Sequence, residues 1–290
     1  MNKSIVNKIK SYKELSKLNI MIPVSLTGFT GYFIYKPGIS LEIVMVTLGV
    51  FLLAVSASVL NQIQEVEQDR KMNRTQFRPL PTGAIKIHQA AIFFFTTLIA
   101  GTILICTWGN ITAAIIGLIT ILWYNGIYTY AKRITAFAVV PGAVTGALPP
   151  LIGWVSAGGG VWDKSIIFLE FLFFTGQIPH FWLLILKYGE EYKKAGFPSL
   201  SNILSAIQIK RLTYTWVVTS AMAALFLCYF EIIQNGLIVI ILMIASLLLV
   251  WQFYGLIKMP ENGKYRKYSN LLDLYFLLII ILLITDKIIA

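Results

Sequence analysis

The chain has 290 residues, 57% of them hydrophobic and only 13% charged, with a mean hydropathy of +0.75 and a formal net charge of +11. Soluble domains carry about 25% charged residues, so a water-soluble globule is excluded. Apolar stretches such as Leu237 to Val250 show no period of two, which excludes a transmembrane barrel and leaves helices of about 20 residues, each long enough to cross a hydrocarbon core of roughly 30 Å.

In chain order, the first 17 residues are basic, and no short apolar core with a small-residue cleavage site follows them. They therefore read as neither a removable signal peptide nor, with Lys in place of Arg and an acid at Glu14, a mitochondrial transit peptide. Apolar spans then fall at about 18–35, 41–60, 87–108, 111–130, 134–156, 165–186, 212–231, 236–257 and 270–288. The reading is an all-α, multi-pass membrane protein with about nine transmembrane helices, and an odd number puts the termini on opposite sides. Of the 24 Lys and Arg residues, 21 lie in the N-terminal segment and in the connections after spans two, four, six and eight. The other side keeps only Lys36, Lys164 and Lys287. By the positive-inside rule the N-terminus and those connections are cytoplasmic. The net charge then reflects topology and attraction to the lipid bilayer; with no basic stripe interleaved with aromatics, no nucleic-acid partner is expected.

No linker rich in Gly, Pro or Ser divides the chain, so residues 1–290 are expected to form one domain, with Gly158-Gly159-Gly160 as a short outer loop. Cys106 and Cys228 lie in apolar runs and read as packing residues. The two long cytoplasmic connections, about 61–86 and 187–211, hold Glu65, Glu67, Asp69, Glu190 and Glu191, five of the 13 carboxylates.

These connections carry the chemistry. On a helix, Asn61, Glu65 and Asp69 share one face at i, i+4 and i+8. Stacked carboxylates repel one another unless a cation bridges them, and oxygen ligands of this kind suit Mg2+. Taken alone, the fragment reads equally well as a solvated helix end. Arg70, Lys71, Arg74 and Arg78 follow at once, and guanidinium forks match phosphate oxygens. Acids that hold a metal beside cations that hold phosphate describe a diphosphate site. Lys187, Glu190, Glu191, Tyr192, Lys193 and Lys194 repeat the theme, so the two connections read as facing halves of one clamp. Span six carries Gln177-Ile-Pro179-His180-Phe181, an ionisable residue and a proline within the membrane, which is a functional hypothesis by default. His88, near an interface, reads as structural. Pro149-Pro150 is expected to kink or break span five.

The pattern Asn61-x3-Glu65-x-Glu67-x-Asp69, followed by Met72-x-Arg74-Thr75-x2-Arg78-Pro79-Leu80-Pro81-x-Gly83, resembles the first motif of the intramembrane aromatic prenyltransferases of the UbiA superfamily, and within it the branch acting on protoheme. Gln177-Ile-Pro179-His180-Phe181, then Glu191-Tyr192-x2-Ala195-Gly196-Phe197-Pro198, is similar to the second motif region. Tyr128-Thr129 with Lys132-Arg133, and Gly146-Ala147-x-Pro149-Pro150, are similar to its middle.

The resemblance implies a ring of nine helices around a central cavity, with helical caps on the cytoplasmic loops. It implies transfer of farnesyl from farnesyl diphosphate to a vinyl group of heme B, giving heme O. Mg2+ as cofactor would fall to Asn61, Glu65, Asp69, Glu190 and Glu191. Arg74, Arg78, Lys132, Arg133, Lys187, Tyr128 and Gln177 would bind substrate, with Tyr192 and His180 in catalytic positions and His180 orienting or ligating heme iron. It further implies the inner membrane of a bacterial cell, with heme A synthase or terminal-oxidase assembly factors as partners. Glu replaces the family's usual Asp at 65, 67 and 191, and Leu18, Gly176 and Ser199 also depart from the pattern. These departures leave open a quinone-type or other aromatic acceptor. A heme-binding membrane protein or transporter without catalysis is the alternative of a different class.

Overall fold

The computed structural model describes residues 3–260 and 265–289. Lys264, counted above among the basic residues after span eight, lies outside them. Among the described residues every regular element is helical. Helix α1 (Lys3–Leu15) precedes the spans; α2 (Leu18–Tyr35), α3 (Leu41–Gln64), α4 (Val66–Lys71), α5 (Ile87–Trp108), α6 (Ile111–Leu122), α7 (Thr129–Ile134), α8 (Val139–Ser156), α9 (Lys164–Lys194), α10 (Ala206–Tyr229), α11 (Gly236–Lys258) and α12 (Arg266–Ile289) follow. By length and composition, eight candidate spans are found among the described residues: α2, α3, α5, the unit 111–134, α8, α9, α10 and α11. Helix α12, with Asp273 inside it and Asp286 and Lys287 near its end, is a ninth long helix.

Several spans begin where a polar side chain takes up orphan backbone donors. Ser40 accepts from Ile43 N–H, Asn110 from Ala113 N–H, Asn235 from Leu237 and Ile238 N–H, and Ser205 forms a capping box with Gln208. Within hydrocarbon every N–H and C=O must be paired along the helix itself, so these caps stand at helix ends. Ile92, Ile99, Ile103, Ile119, Leu247 and Trp251 are exposed, an outer surface suited to lipid chains.

The spans pack as a closed ring in chain order: α2 on α3, α3 on α5, then α6, α8, α9, α10, α11 and α12, which returns to α2. Contacts that skip ring neighbours cross the interior, and two matter most. One joins α2 to α8, where a Cβ on Gly31 would collide with the carbonyl of Pro150 and one on Gly153 with the carbonyl of Gly28. The absence of side chains there lets two backbones meet, as at tight helix crossings in membranes. The other joins α9 to α12, where a Cβ on Gly176 would collide with the ring of Phe276.

Local expectations changed in three places. Pro149 and Pro150 lie inside α8, which remains one helix over 18 residues; the backbone seam against α2 holds this segment in place. Span four is a composite in which a π-helical turn, Trp123–Tyr128, separates α6 from α7. Residues 187–194, read as part of a cytoplasmic connection, continue α9 to a length of 31 residues, so Lys187, Glu190 and Glu191 are presented on a rigid helix.

Candidate functional site

At Glu65 the helix of span two breaks, with φ −116° and ψ 13°, and α4 starts at once. Asp69 N–H still donates to Glu65 C=O at 2.8 Å, so Asn61, Glu65 and Asp69 remain on one side of the broken rod. All three are buried. After Lys71 the chain leaves the helical path expected for Arg74 and Arg78 and forms successive turns. Thr75 Oγ donates to Asp69 C=O at 3.0 Å, and the prolines at 79 and 81 cannot donate to a helix. The turns bring Arg78 back, and its Nη1 reaches Asp69 Oδ1 and Oδ2 at 3.0 and 2.8 Å.

A second cation enters from the fourth span. Lys132 on α7 pairs with Glu65 and lies over the rings of Tyr128, at 5.5 Å, and Phe197, at 5.3 Å. The π-helical turn shapes this wall. π-Bulges often mark functional sites, and here Asn125 donates to Ala57 C=O and to Gln64 Oε1, both at 3.1 Å, pinning the turn to α3. Asn61 donates to Thr129 Oγ at 3.1 Å across the same seam. Tyr124 and Tyr128 stack with centroids 5.3 Å apart, and Phe181 of α9 approaches Tyr128 at 5.9 Å.

The two acidic segments meet at one end of the ring. Glu191 Oε2 accepts from the backbone N–H of Arg74 at 3.1 Å. Met72, Ala195 and Phe197 form a small apolar cluster with Tyr192, and Arg74 lies 4.9 Å over the ring of Tyr188. Other expected residues stand apart from this point. Glu190 pairs with Lys193 on an exposed flank, Lys187 lies over Tyr188 at 4.7 Å, and Arg133 donates to Gln64 C=O at 2.6 Å, closing the C-terminal end of α3. Gln177 packs so closely on α8 that a Cβ on Gly146 would stand 2.7 Å from its Cδ. His180 faces Asp273 of α12 at 3.4 Å.

Lys17 escaped the sequence reading. It sits in the left-handed region at φ 45°, between α1 and α2, where a non-glycine residue is uncommon. Burial pulls its pKa down to about 7, with Arg78 and Lys132 adding to the fall while Asp69 and Glu65 oppose it. All four of those groups belong to the site, so Lys17 shares their field. Nothing in the sequence separated it from the other N-terminal lysines. Tyr188 and Asp273 were likewise missed, and Thr129 and Phe197 stood in the motifs without a role of their own.

The arrangement pairs the buried carboxylates of Asp69 and Glu65 with Arg78 and Lys132, beside an aromatic wall. Among the described residues no group of three or more His, Cys, Asp or Glu is assembled to hold a metal. Asn61, Glu65, Asp69 and Glu191 offer only oxygen ligands, the chemistry of a hard cation such as Mg2+ that takes one or two carboxylates and completes its shell with water and phosphate oxygens.

Comparison with known proteins adds the family. Residues 24–280 match the model of the UbiA prenyltransferase family. A protoheme IX farnesyltransferase of Cytophaga hutchinsonii is 38% identical over 200 residues, covering 68% of this chain and 69% of the relative. One from Oleidesulfovibrio alaskensis is 30% identical over 97% of this chain and all of its own length. The structure of a UbiA homolog from Archaeoglobus fulgidus bound to DMAPP and Mg2+ superposes with a TM-score of 0.75 at 16% identity, covering 96% of this chain and 98% of that one. This chain, with its spans closed in a ring and its buried acids gathered at one end, belongs to the UbiA prenyltransferase family.

Proposed function

We propose that this membrane prenyltransferase transfers the farnesyl group of farnesyl diphosphate to a vinyl group of protoheme IX and forms heme O. The observation that carries the donor half is the pairing of Asp69 with Arg78 and of Glu65 with Lys132, with Glu191 arriving from the other segment. The acceptor half rests on the shared name of relatives that align over 68% and 97% of the chain.

Asn61, Glu65, Asp69 and Glu191 would hold Mg2+, which when bound neutralises charge on the diphosphate leaving group. The residues of the chain do the rest. A diphosphate competes with Glu65 and Asp69 for Lys132, Arg78 and Lys17, and frees the carboxylates as it takes the cations. These groups favour the charge that builds on the leaving oxygen as the allylic C–O bond breaks and its electron pair departs with diphosphate. The faces of Tyr124, Tyr128 and Phe181 favour the allylic cation by cation–π attraction. The vinyl π pair then forms the new C–C bond, and water adds to the resulting cation and gives up a proton. Tyr192 and Tyr188, at the cytoplasmic rim, shield the site from bulk water.

The N-terminus and this site are read as lying on the cytoplasmic face of a bacterial inner membrane; the charge asymmetry supports the sidedness and the bacterial relatives support the source. Incubating membranes that contain the protein with heme B and farnesyl diphosphate, then measuring porphyrin masses, tests the function. A farnesylated, hydroxylated heme is expected; unchanged heme, with farnesyl transferred to an added quinone-type acceptor and diphosphate released, would overturn it.

A further inference from the structure

Span four changes its pitch at Trp123–Tyr128, where the turn closes as Thr129 N–H donates to Tyr124 C=O, five residues back, and the α pattern resumes at Thr129. A π-helical turn takes up one residue more than an α turn. In an α-helix one residue is about 100° of rotation and 1.5 Å of rise. Every residue beyond the turn is therefore set back by one place, and Lys132 stands where Ala131 would stand on an unbroken continuation of α6. The offset decides the chemistry of this wall. Lys132 pairs with the buried Glu65, and an alanine in its place would leave that carboxylate without a cation.

An unbroken α-helix is the ordinary state of such a segment, so the turn needs something to hold it open. Asn125 is the buried residue of the turn, 3% exposed. Its Nδ2 donates to Ala57 C=O and to Gln64 Oε1, and its own C=O accepts from Gln64 Nε2, all at 3.1 Å. The two carboxamides clasp each other, and one of the bonds reaches the backbone of the turn itself. Further along, Asn61 Nδ2 donates to Thr129 Oγ at 3.1 Å, and Thr129 Oγ donates at 2.9 Å to Tyr124 C=O, the carbonyl that closes the π turn. Ala57, Asn61 and Gln64 fall at i, i+4 and i+7 on one face of α3. That face, which runs on to Glu65, carries both the acid and the contacts that fix the register of its cation. Polar bonds that only glue two helices together in hydrocarbon would serve an unbroken helix equally well; these fall on the one turn that departs from α geometry.

We propose that Asn125 is a positioning residue: clasped to Gln64, it holds the π-helical turn open and so sets the one-residue offset that aims Lys132 at Glu65 and, when the donor binds, at its diphosphate. This inference rests on the donor half of the proposed function and deepens it by naming what places the cation.

The test measures the Kd of farnesyl diphosphate, with Mg2+ and without any acceptor, for the full chain in lipid nanodiscs. Asn125→Leu keeps the bulk and removes the hydrogen bonds, so the helix can straighten; Kd should rise about tenfold, the scale for losing a charge-assisted contact. Adding Lys132→Met should cause no further rise, because the ammonium is already turned away. Gly126 is exposed and meets no neighbour. Deleting it from the Asn125→Leu chain removes the surplus residue, which leaves an α-helix throughout with Lys132 back in its place. Kd should then return to within about twofold of wild type, whereas a residue that merely glued α3 to span four would not be rescued by a deletion. Should Asn125→Leu fail to insert, Gln64→Met opens the clasp from the other side and carries the same expectations. A Kd of Asn125→Leu equal to wild type, a full added effect of Lys132→Met, or a deletion that does not rescue overturns the inference and leaves the function standing. A wild type that does not bind farnesyl diphosphate overturns both.

Discussion

The two halves of the ring are built on opposite principles. In the half away from the buried acids, α2 and α8 meet backbone to backbone at Gly28, Gly31, Pro150 and Gly153, and Tyr35 packs edge-on against Trp154 at 4.9 Å. In the acidic half, helices break at Glu65 and at the π-helical turn, Lys17 adopts a left-handed backbone, and Glu65 and Asp69 are buried with cations. One half is held by close van der Waals contact; the other holds unfavourable groups that only partners make tolerable. The closed half keeps the helices in register, while in the proposed reaction the polar half yields its cations to the diphosphate of the donor. Strained backbone and buried charge tend to gather at functional sites, and most of them gather at the acidic end here; the other end keeps Glu231 at φ 57° and the buried Asp286, which accepts from the Gln234 and Asn235 N–H groups.

This contrast can be broken from either side. The largest effect is expected from Asp69→Ala, which should lower turnover by roughly 10^3-fold, the scale for losing one preorganised electrostatic group, with the protein still inserted; farnesyl transfer in membranes measures it. Next, Gly153→Leu should force the α2–α8 seam apart and lower stability by about 3 kcal/mol, the upper range for overpacking, seen as a lower melting temperature in detergent while the residues of the acidic half are untouched. Lys132→Met leaves Glu65 buried without its cation and should raise KM for the prenyl diphosphate about tenfold through loss of a charge-assisted contact, whereas Lys132→Arg should recover most of it.

Lys17 gives a pH signature. Its pKa is lowered to about 7, so in the free protein its charge is present below that pH and lost above it. Binding a diphosphate restores the proton, and KM should therefore rise as pH increases from 7 to 9. Lys17→Arg, charged throughout, should flatten that rise. The smallest change is expected at Glu190→Gln, because Glu190 pairs with Lys193 on an exposed flank and such pairs contribute little; KM and turnover should stay within about twofold of wild type. A large loss there would mean that the flank turns inward when substrate binds.

Much of the fold was legible before any coordinates. The spans 18–35 and 87–108 coincide with α2 and α5, because an uninterrupted apolar run bounded by charge has one solution in a bilayer. Asn61, Glu65 and Asp69 were legible for a similar reason, since the i, i+4, i+8 spacing survives the break at Glu65. Arg78 was identified as part of the site, but for the wrong local reason. The helix that would have carried Arg74 and Arg78 together ends at Lys71, and turns place Arg78 on Asp69 while Arg74 goes to Tyr188.

The sequence by itself determined the membrane class, the sidedness of charge and the residue types gathered on one face, because hydropathy, charge count and helical spacing are local properties. The tertiary structure alone decided which cation meets which acid. It chose Lys132 for Glu65 and Arg78 for Asp69, drew Lys17 into their field, left Glu190 and Lys187 outside, and set Asp273 opposite His180. Those partners come from helices that are neighbours only once the ring has closed, and no periodicity along one chain encodes which faces turn toward a common interior.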